Sequence, residues 1–165
     1  MEQKNVSVKL RVIKEQMSLK NIDGRSLCKC YQELTNISHS SSQVAENVLE
    51  LFKVGLQSEK NDFNSLSYAY ELLETISNFH PHLIKPIFEV YKVGLQSDKN
   101  NEDSIINAGR QIERIAFAHQ CFAGDAKKLI QFSKGLTNNT PMSLKYLNAY
   151  EFQCGSSVKS FEKQR

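Results

Sequence analysis

Apolar residues recur at helical spacing in four segments of the chain. Steps of three, four and three residues separate the apolar positions within a segment, which places them on one face of a helix. The columns shared by the segments are Leu27, Leu66, Ile105 and Leu144; Cys30, Ala69, Ala108 and Leu147; Leu34, Leu73 and Ile112; and Ile37, Ile76 and Ile115. We therefore predict four equivalent helices, the B helices, over about 24–38, 63–79, 102–119 and 141–152.

Each predicted B helix has a capping residue in the same register. Short polar side chains that can accept from free N–H groups of the first turn stand 39 residues apart. They are Asp23, Asp62, Asn101 and Thr140. Pro141 follows the last of them, at a first-turn position where a missing N–H costs nothing. The caps therefore support four helices in one register.

A second amphipathic segment precedes each B helix. These A helices are predicted over about 6–18, 43–57, 82–96 and 124–136. The two central ones are nearly identical, since residues 48–61 are VLELFKVGLQSEKN and residues 87–100 are IFEVYKVGLQSDKN. Self-similarity at a fixed period of this length is typical of stacked helical repeats.

Glycines near the ends of the A helices have two interpretations. Gly55 and Gly94 could be left-handed C-caps, or they could let a neighbouring helix approach closely. Gln16 stands in the same register and would disfavour a left-handed backbone, so we favour close packing. Gly135 lies two residues out of register, which predicts a small insertion between the third and fourth pairs.

Together these patterns predict an all-α fold, a right-handed α-solenoid of about four helix pairs with a 39-residue period. The expected repeats cover about 6–38, 43–79, 82–119 and 124–152, within a single domain over 1–152. Residues 153–165 are expected to form a polar, flexible tail. A chain of 165 residues is long enough for a continuous core.

Candidate chemistry is sparse. Cys28 and Cys30 point to different sides of one predicted helix and cannot bridge each other, so reduced thiols are expected. His80 and His82 flank Pro81, and solvated turn residues are a better interpretation than an acid–base pair. No phosphate-binding glycine loop, nucleophile elbow or zinc-binding spacing is present in the sequence. We therefore predict no catalytic residue, no metal and no cofactor.

Charge and hydropathy further limit the classes of function that the sequence allows. The formal net charge is +3, with acids and bases interleaved along most helices, which is typical of solvated faces. A basic N-terminal helix leaves a nucleic-acid-binding protein as a less favoured alternative. No apolar run is long enough to cross a bilayer and the N-terminus has no signal-peptide pattern, so a cytoplasmic protein without membrane contact is expected.

The outward side of the B helices contains the candidate binding residues. Apolar side chains next to arginine and tyrosine are the composition of an interface hot spot. The predicted partner-binding residues are Tyr68, Glu71, Ile106, Asn107, Arg110, Arg114, Phe117 and Tyr146. The alternative is that loops cover Ile106 and Phe117, or that the third B helix is rotated so that they pack inward.

Paired helices with Asp23 and Asp62 at the turn inside the pair resemble the HEAT and armadillo repeats. The resemblance covers about residues 6–152 and is architectural. The proline common in the first helix of such repeats occurs only once, as Pro86. The basic residue common early in the second helix occurs only as Lys29 and Lys145. Tetratricopeptide repeats fit less well, since their period is 34 residues. In HEAT and armadillo proteins, which this chain resembles, the second helices line a concave surface that binds protein partners.

The leading functional prediction is a non-catalytic scaffold, adaptor or inhibitor that binds a protein partner through the B helices. Three alternatives stay open: a nucleic-acid-binding repeat protein, an exported bacterial effector acting in a host cytosol, and a small enzyme with an unrecognised site. Self-association into a homodimer through the apolar ends of the stack is a further expectation.

Overall fold

A computed structural model describes the backbone of residues 2–136 and 138–162, and the side chains of 5–136 and 138–156. This part of the chain contains eight α-helices and no strand. The A helices are α1 (Glu2–Met17), α3 (Ser42–Leu56), α5 (Ile84–Leu95) and α7 (Ala123–Lys134). The B helices are α2 (Gly24–Ser38), α4 (Phe63–Phe79), α6 (Glu102–Ala118) and α8 (Pro141–Glu162).

Contacts between the helices follow the chain order in two rows. Each B helix packs against the next B helix, from α2 through α4 and α6 to α8. Each A helix likewise contacts the next A helix, and each A helix contacts the B helix that follows it. The B row is the more closely packed of the two, and the candidate binding residues lie on it.

The four predicted caps are confirmed. The side chains of Asp23, Asp62 and Asn101 accept from the backbone N–H three residues later at 2.8, 2.7 and 2.9 Å. Thr140 Oγ1 accepts from the Ser143 N–H at 3.1 Å. Hydrogen bonding from Ser26 lowers the pKa of Asp23 below its ordinary value, because these bonds favour the carboxylate.

The predicted apolar columns form the core. Every member is buried except Ile37 and Leu144, which are half-buried. These two residues lie on α2 and α8, the helices at the two ends of the B row. The exceptions follow from position, since a terminal helix has a neighbour on only one side.

The glycines of the A helices allow close packing, as favoured from sequence. Among the described glycines none has positive φ, so none is a left-handed cap. A Cβ on Gly55 would lie 2.7 Å from Tyr31 Cε1, and one on Gly94 would lie 2.8 Å from Tyr70 Cε1. Each glycine therefore makes room for a tyrosine ring from the preceding B helix, and Gly55 also makes room for Met17, whose Cε would lie closer still to such a Cβ.

A buried asparagine completes each of these contacts. Asn61 accepts from the Tyr31 hydroxyl at 3.2 Å and donates to the Gly55 carbonyl at 2.7 Å. Asn100 repeats the arrangement with the Tyr70 hydroxyl at 3.0 Å and the Gly94 carbonyl at 2.8 Å. Burial raises the pKa of Tyr31 and Tyr70 well above the ordinary value, so both hydroxyls remain protonated donors.

Three expectations need correction. No insertion precedes the fourth pair, because Ser133, 39 residues after Gly94, occupies the glycine position and its carbonyl accepts from Asn139 at 2.6 Å. Helix α8 ends at Glu162 rather than near residue 152, so residues 153–162 of the predicted tail are helical. Residues 163–165 lie outside the described part of the chain. His80 is buried rather than solvated, with Nε2 2.9 Å from the Ser38 carbonyl.

Candidate partner-binding face

A ladder of polar side chains crosses the outward side of the B helices. The Tyr68 hydroxyl donates to Gln32 Oε1, which joins α4 to α2. Asn107 Nδ2 donates to Ser67 Oγ at 2.7 Å and to Glu71 Oε1 at 3.1 Å, which joins α6 to α4. These bonds fix the relative positions of three neighbouring helices on the surface that we call the B face.

One arginine extends the ladder along α6 and a second lies beside it. Arg114 Nη1 lies 3.4 Å from Gln111 Oε1, and Gln111 in turn donates to Asn107 Oδ1 at 3.1 Å. Arg110 is exposed one helical turn before Arg114. Within the described side chains neither guanidinium forms an ion pair, so both are available to a carboxylate from outside.

Phe117 projects from the same side of α6. Its side chain is 73% exposed, which excludes the alternative that a loop covers it. Contact with a partner would remove the apolar surface of this ring from water, which is favourable. Phe117 therefore combines with the two arginines as an apolar and cationic patch near the end of α6.

The eight predicted residues comprise a hydrogen-bonded group of four, an exposed group of three, and Ile106. Ile106 is half-buried, so part of its surface already packs within the protein. Tyr146, on α8, is 42% exposed, and its ring centroid lies 6.3 Å from that of Tyr150. Tyr68, Glu71, Asn107 and Arg114 belong to the hydrogen-bonded ladder, while Arg110, Phe117 and Tyr146 are exposed beside it.

Sequence reasoning missed Gln111, which connects Asn107 to Arg114. Gln111 is buried, although its neighbours in the ladder are polar and solvent-facing. The same register position holds Leu72 in α4, Glu33 in α2 and Tyr150 in α8. Because polar and apolar residues share this position, the only signal for Gln111 was its contrast with Leu72 of the neighbouring helix.

The thiols are poor nucleophiles. Desolvation by burial raises the pKa of Cys28 and Cys30, and it raises that of Cys154 to about 12. A thiol is nucleophilic only as the thiolate, so these three cysteines are packing residues at neutral pH.

Among the described residues no group of three or more His, Cys, Asp or Glu is placed to hold a metal ion. The B face therefore has the means to bind, through exposed cations and aromatic rings.

No described helix has the length and apolar character needed to cross a membrane. No protein-family model matches the chain, and no curated protein or solved structure is significantly similar to it.

Proposed function

We propose that the protein is a non-catalytic protein-interaction module that binds a partner through the B face. The observation that carries the proposal is the exposure of Phe117 next to two arginines that have no acidic partner in the described chain. Arginine and aromatic residues are over-represented among interface hot spots, where a few side chains supply most of the binding energy.

The hydrogen-bonded ladder supports a preorganised surface. Because Gln32, Tyr68 and Asn107 are tied across α2, α4 and α6, the side chains of the B face lose little conformational freedom when a partner binds. A partner that places a carboxylate against Arg110 or Arg114 and an apolar group against Phe117 would match the chemistry of this patch.

The charge on the B face favours a protein partner over nucleic acid. Glu71 lies in the ladder beside the arginines, so the surface presents both signs of charge. A nucleic-acid-binding face is predominantly basic. Action in the cytosol, of this cell or of a host, is part of the same proposal.

We also propose that the helix pairs form a right-handed α-solenoid with a 39-residue period. Row-wise contacts between successive A helices and successive B helices support this arrangement. The repeated Asn61 and Asn100 contacts, 39 residues apart, support the period. A solenoid would present the B face as one continuous surface across the pairs.

The test is capture from a cell lysate followed by measurement with the purified binder. We expect Phe117→Ala combined with Arg114→Ala to lose proteins that the wild type retains, and to bind the recombinant partner at least about tenfold more weakly. Phe152→Ala is the matched control, because Phe152 is 76% exposed but lies outside the B face.

Circular dichroism melting separates binding from folding in this experiment. Both substituted side chains are exposed, so the melting temperature of the variant should match that of the wild type. Unaltered capture by a folded double variant, or a loss of folding in place of a loss of binding, would refute the B face as the binding surface.

A further inference from the structure

A second surface lies at the N-terminal end of the helix rows and borders the B face, where Gln32 Nε2 donates to Asn36 Oδ1 at 3.2 Å. A groove of about 400 Å³ runs between α1 and α2. Its lining residues are Val8, Lys9, Val12, Ile13, Glu33, Asn36 and Ile37. Val8 and Val12, one helical turn apart on α1, are 50% and 42% exposed. We call this surface the end face.

The centre of the end face is more exposed than its counterparts in the other helix pairs. Ile37 is half-buried, while Ile76 and Ile115 at the same register position are fully buried. Val12 is 42% exposed, while its counterparts Leu51 and Val90 are half-buried and fully buried. Ile37 and Val12 therefore offer apolar area for a partner to cover.

Charged residues distinguish the end face from the internal packing surfaces. Lys9 stands on α1 where Ile87 stands on α5, and Glu33 stands on α2 where Leu72 stands on α4. The two charges lie on opposite sides of one groove, and within the described side chains neither forms an ion pair.

These two charges decide which occupant complements the end face. An occupant that places an anion against Lys9 and a cation against Glu33, with apolar side chains between them, matches both walls of the groove. A second copy of the end face has this composition.

We propose that the end face binds the end face of a second copy of this chain, as a two-fold symmetric dimer. A two-fold axis along the groove places α1 of one copy over α2 of the other. Lys9 then faces Glu33 of the second copy, and the same pair forms again on the opposite side. The exposed valines and Ile37 of both copies meet at the centre, where their burial supplies the main driving force.

Sedimentation velocity over a range of protein concentrations tests the dimer. Lys9→Glu and Glu33→Lys each place like charges opposite each other at two positions, so each should weaken the dimer at least about tenfold. The double variant Lys9→Glu with Glu33→Lys exchanges the charges and should restore dimerisation to within about threefold of the wild type. Lys60→Glu, in an exposed loop away from the groove, is the control for net charge and should change nothing.

Recovery in the exchanged double variant is the decisive observation, because only a direct Lys9–Glu33 pairing between copies predicts it. The proposal fails if the wild type stays monomeric up to about 0.5 mM, the range in which weak dimers assemble. It fails equally if a dimer forms whose strength the single reversals leave unaltered, or if the double variant is as weak as the singles.

Discussion

The junction between the second and third helix pairs and the junction between the third and fourth use different chemistry at the same register positions. In the second–third junction the Tyr70 ring lies against Gly94 and its hydroxyl bonds to Asn100. In the third–fourth junction Gly109 replaces the tyrosine and Ser133 replaces the glycine. The asparagine remains, as Asn139.

The exchange of residues is physically coupled. Without a tyrosine ring the A helix no longer needs a glycine, and Ser133 fits while bonding to its own helix at Ile130 O, 2.7 Å away. The space beside Gly109 is filled from α8 instead, by Leu147 and Tyr150. Glycine and tyrosine thus form one packing unit that is kept or lost as a whole.

Loss of the asparagine should separate the two junctions most clearly. Asn100→Ala removes the partners of the buried Tyr70 hydroxyl and the Gly94 carbonyl together, so we expect a loss of about 3 kcal/mol in the free energy of unfolding. Asn139→Ala leaves no tyrosine without a partner and should cost about half as much, roughly 1.5 kcal/mol. Urea titration followed by circular dichroism and by tyrosine fluorescence measures both losses and tests whether unfolding is two-state.

Equal losses in the two variants would contradict this comparison. That result would mean that the asparagine acts only through the carbonyl groups at the end of the A helix and the serine hydroxyl of the next B helix, which both junctions share. The tyrosine hydroxyl would then contribute nothing measurable.

The glycine provides the second test. A Cβ at Gly94 would lie 2.8 Å from Tyr70 Cε1, so Gly94→Ala should overpack the junction. The better helix propensity of alanine offsets part of the strain, which leaves a net loss of about 1–2 kcal/mol. Ser133→Ala, the matched change in the other junction, should alter stability by less than about 0.5 kcal/mol, since no ring approaches there.

A double-mutant cycle assigns the strain to the ring. In a Tyr70→Leu background the aromatic ring is absent, and Gly94→Ala should then stabilise the protein by up to about 1 kcal/mol. If Gly94→Ala is equally harmful with and without the ring, another neighbour such as Leu56, 3.3 Å from the same Cβ, limits the space.

Much of the fold could be predicted from the sequence because local rules decide it. Asp23 and Asp62 marked the helix starts through capping, a contact that spans three residues. The identity of the glycine's neighbour could not be predicted, since Tyr31 and Gly55 meet only after the chain folds. The extension of α8 to Glu162 was missed because its apolar spacing fades after Leu147.

The candidate site was predictable only as a list of outward positions. Periodicity correctly placed Phe117 on the outside, where it is strongly exposed. Periodicity alone could not distinguish Ile106, half-buried on the same side, because its burial depends on how closely neighbouring helices pack. The bonds from Asn107 to α4 cross 36 and 40 residues of chain, and no local pattern indicates them.

The fourth helix pair also has an ion pair between its two helices where the third pair has apolar residues, and this difference gives the smallest predicted effect. Glu151 stands in the register of Ile112, and Lys134 in that of Leu95. Lys134 Nζ lies 2.7 Å from Glu151 Oε2, and Gln131 Nε2 lies 2.8 Å from Oε1. Hydrogen bonds from Lys134 and then Gln131 lower the pKa of Glu151 below its ordinary value of 4.5.

A lowered pKa in the folded state means that the stabilising effect is present above pH 4.5 and is lost as the pH falls further. Glu151→Gln should therefore lower the melting temperature by about 1–3 °C at pH 7, consistent with an ion pair worth less than about 1 kcal/mol. The difference between variant and wild type should shrink steadily between pH 5 and about pH 3. Glu59→Gln, in an exposed loop, should show no such dependence. A difference that persists unchanged at acid pH would assign the effect to packing of the side chain, and the fourth helix pair would then resemble the third more closely than its charges indicate.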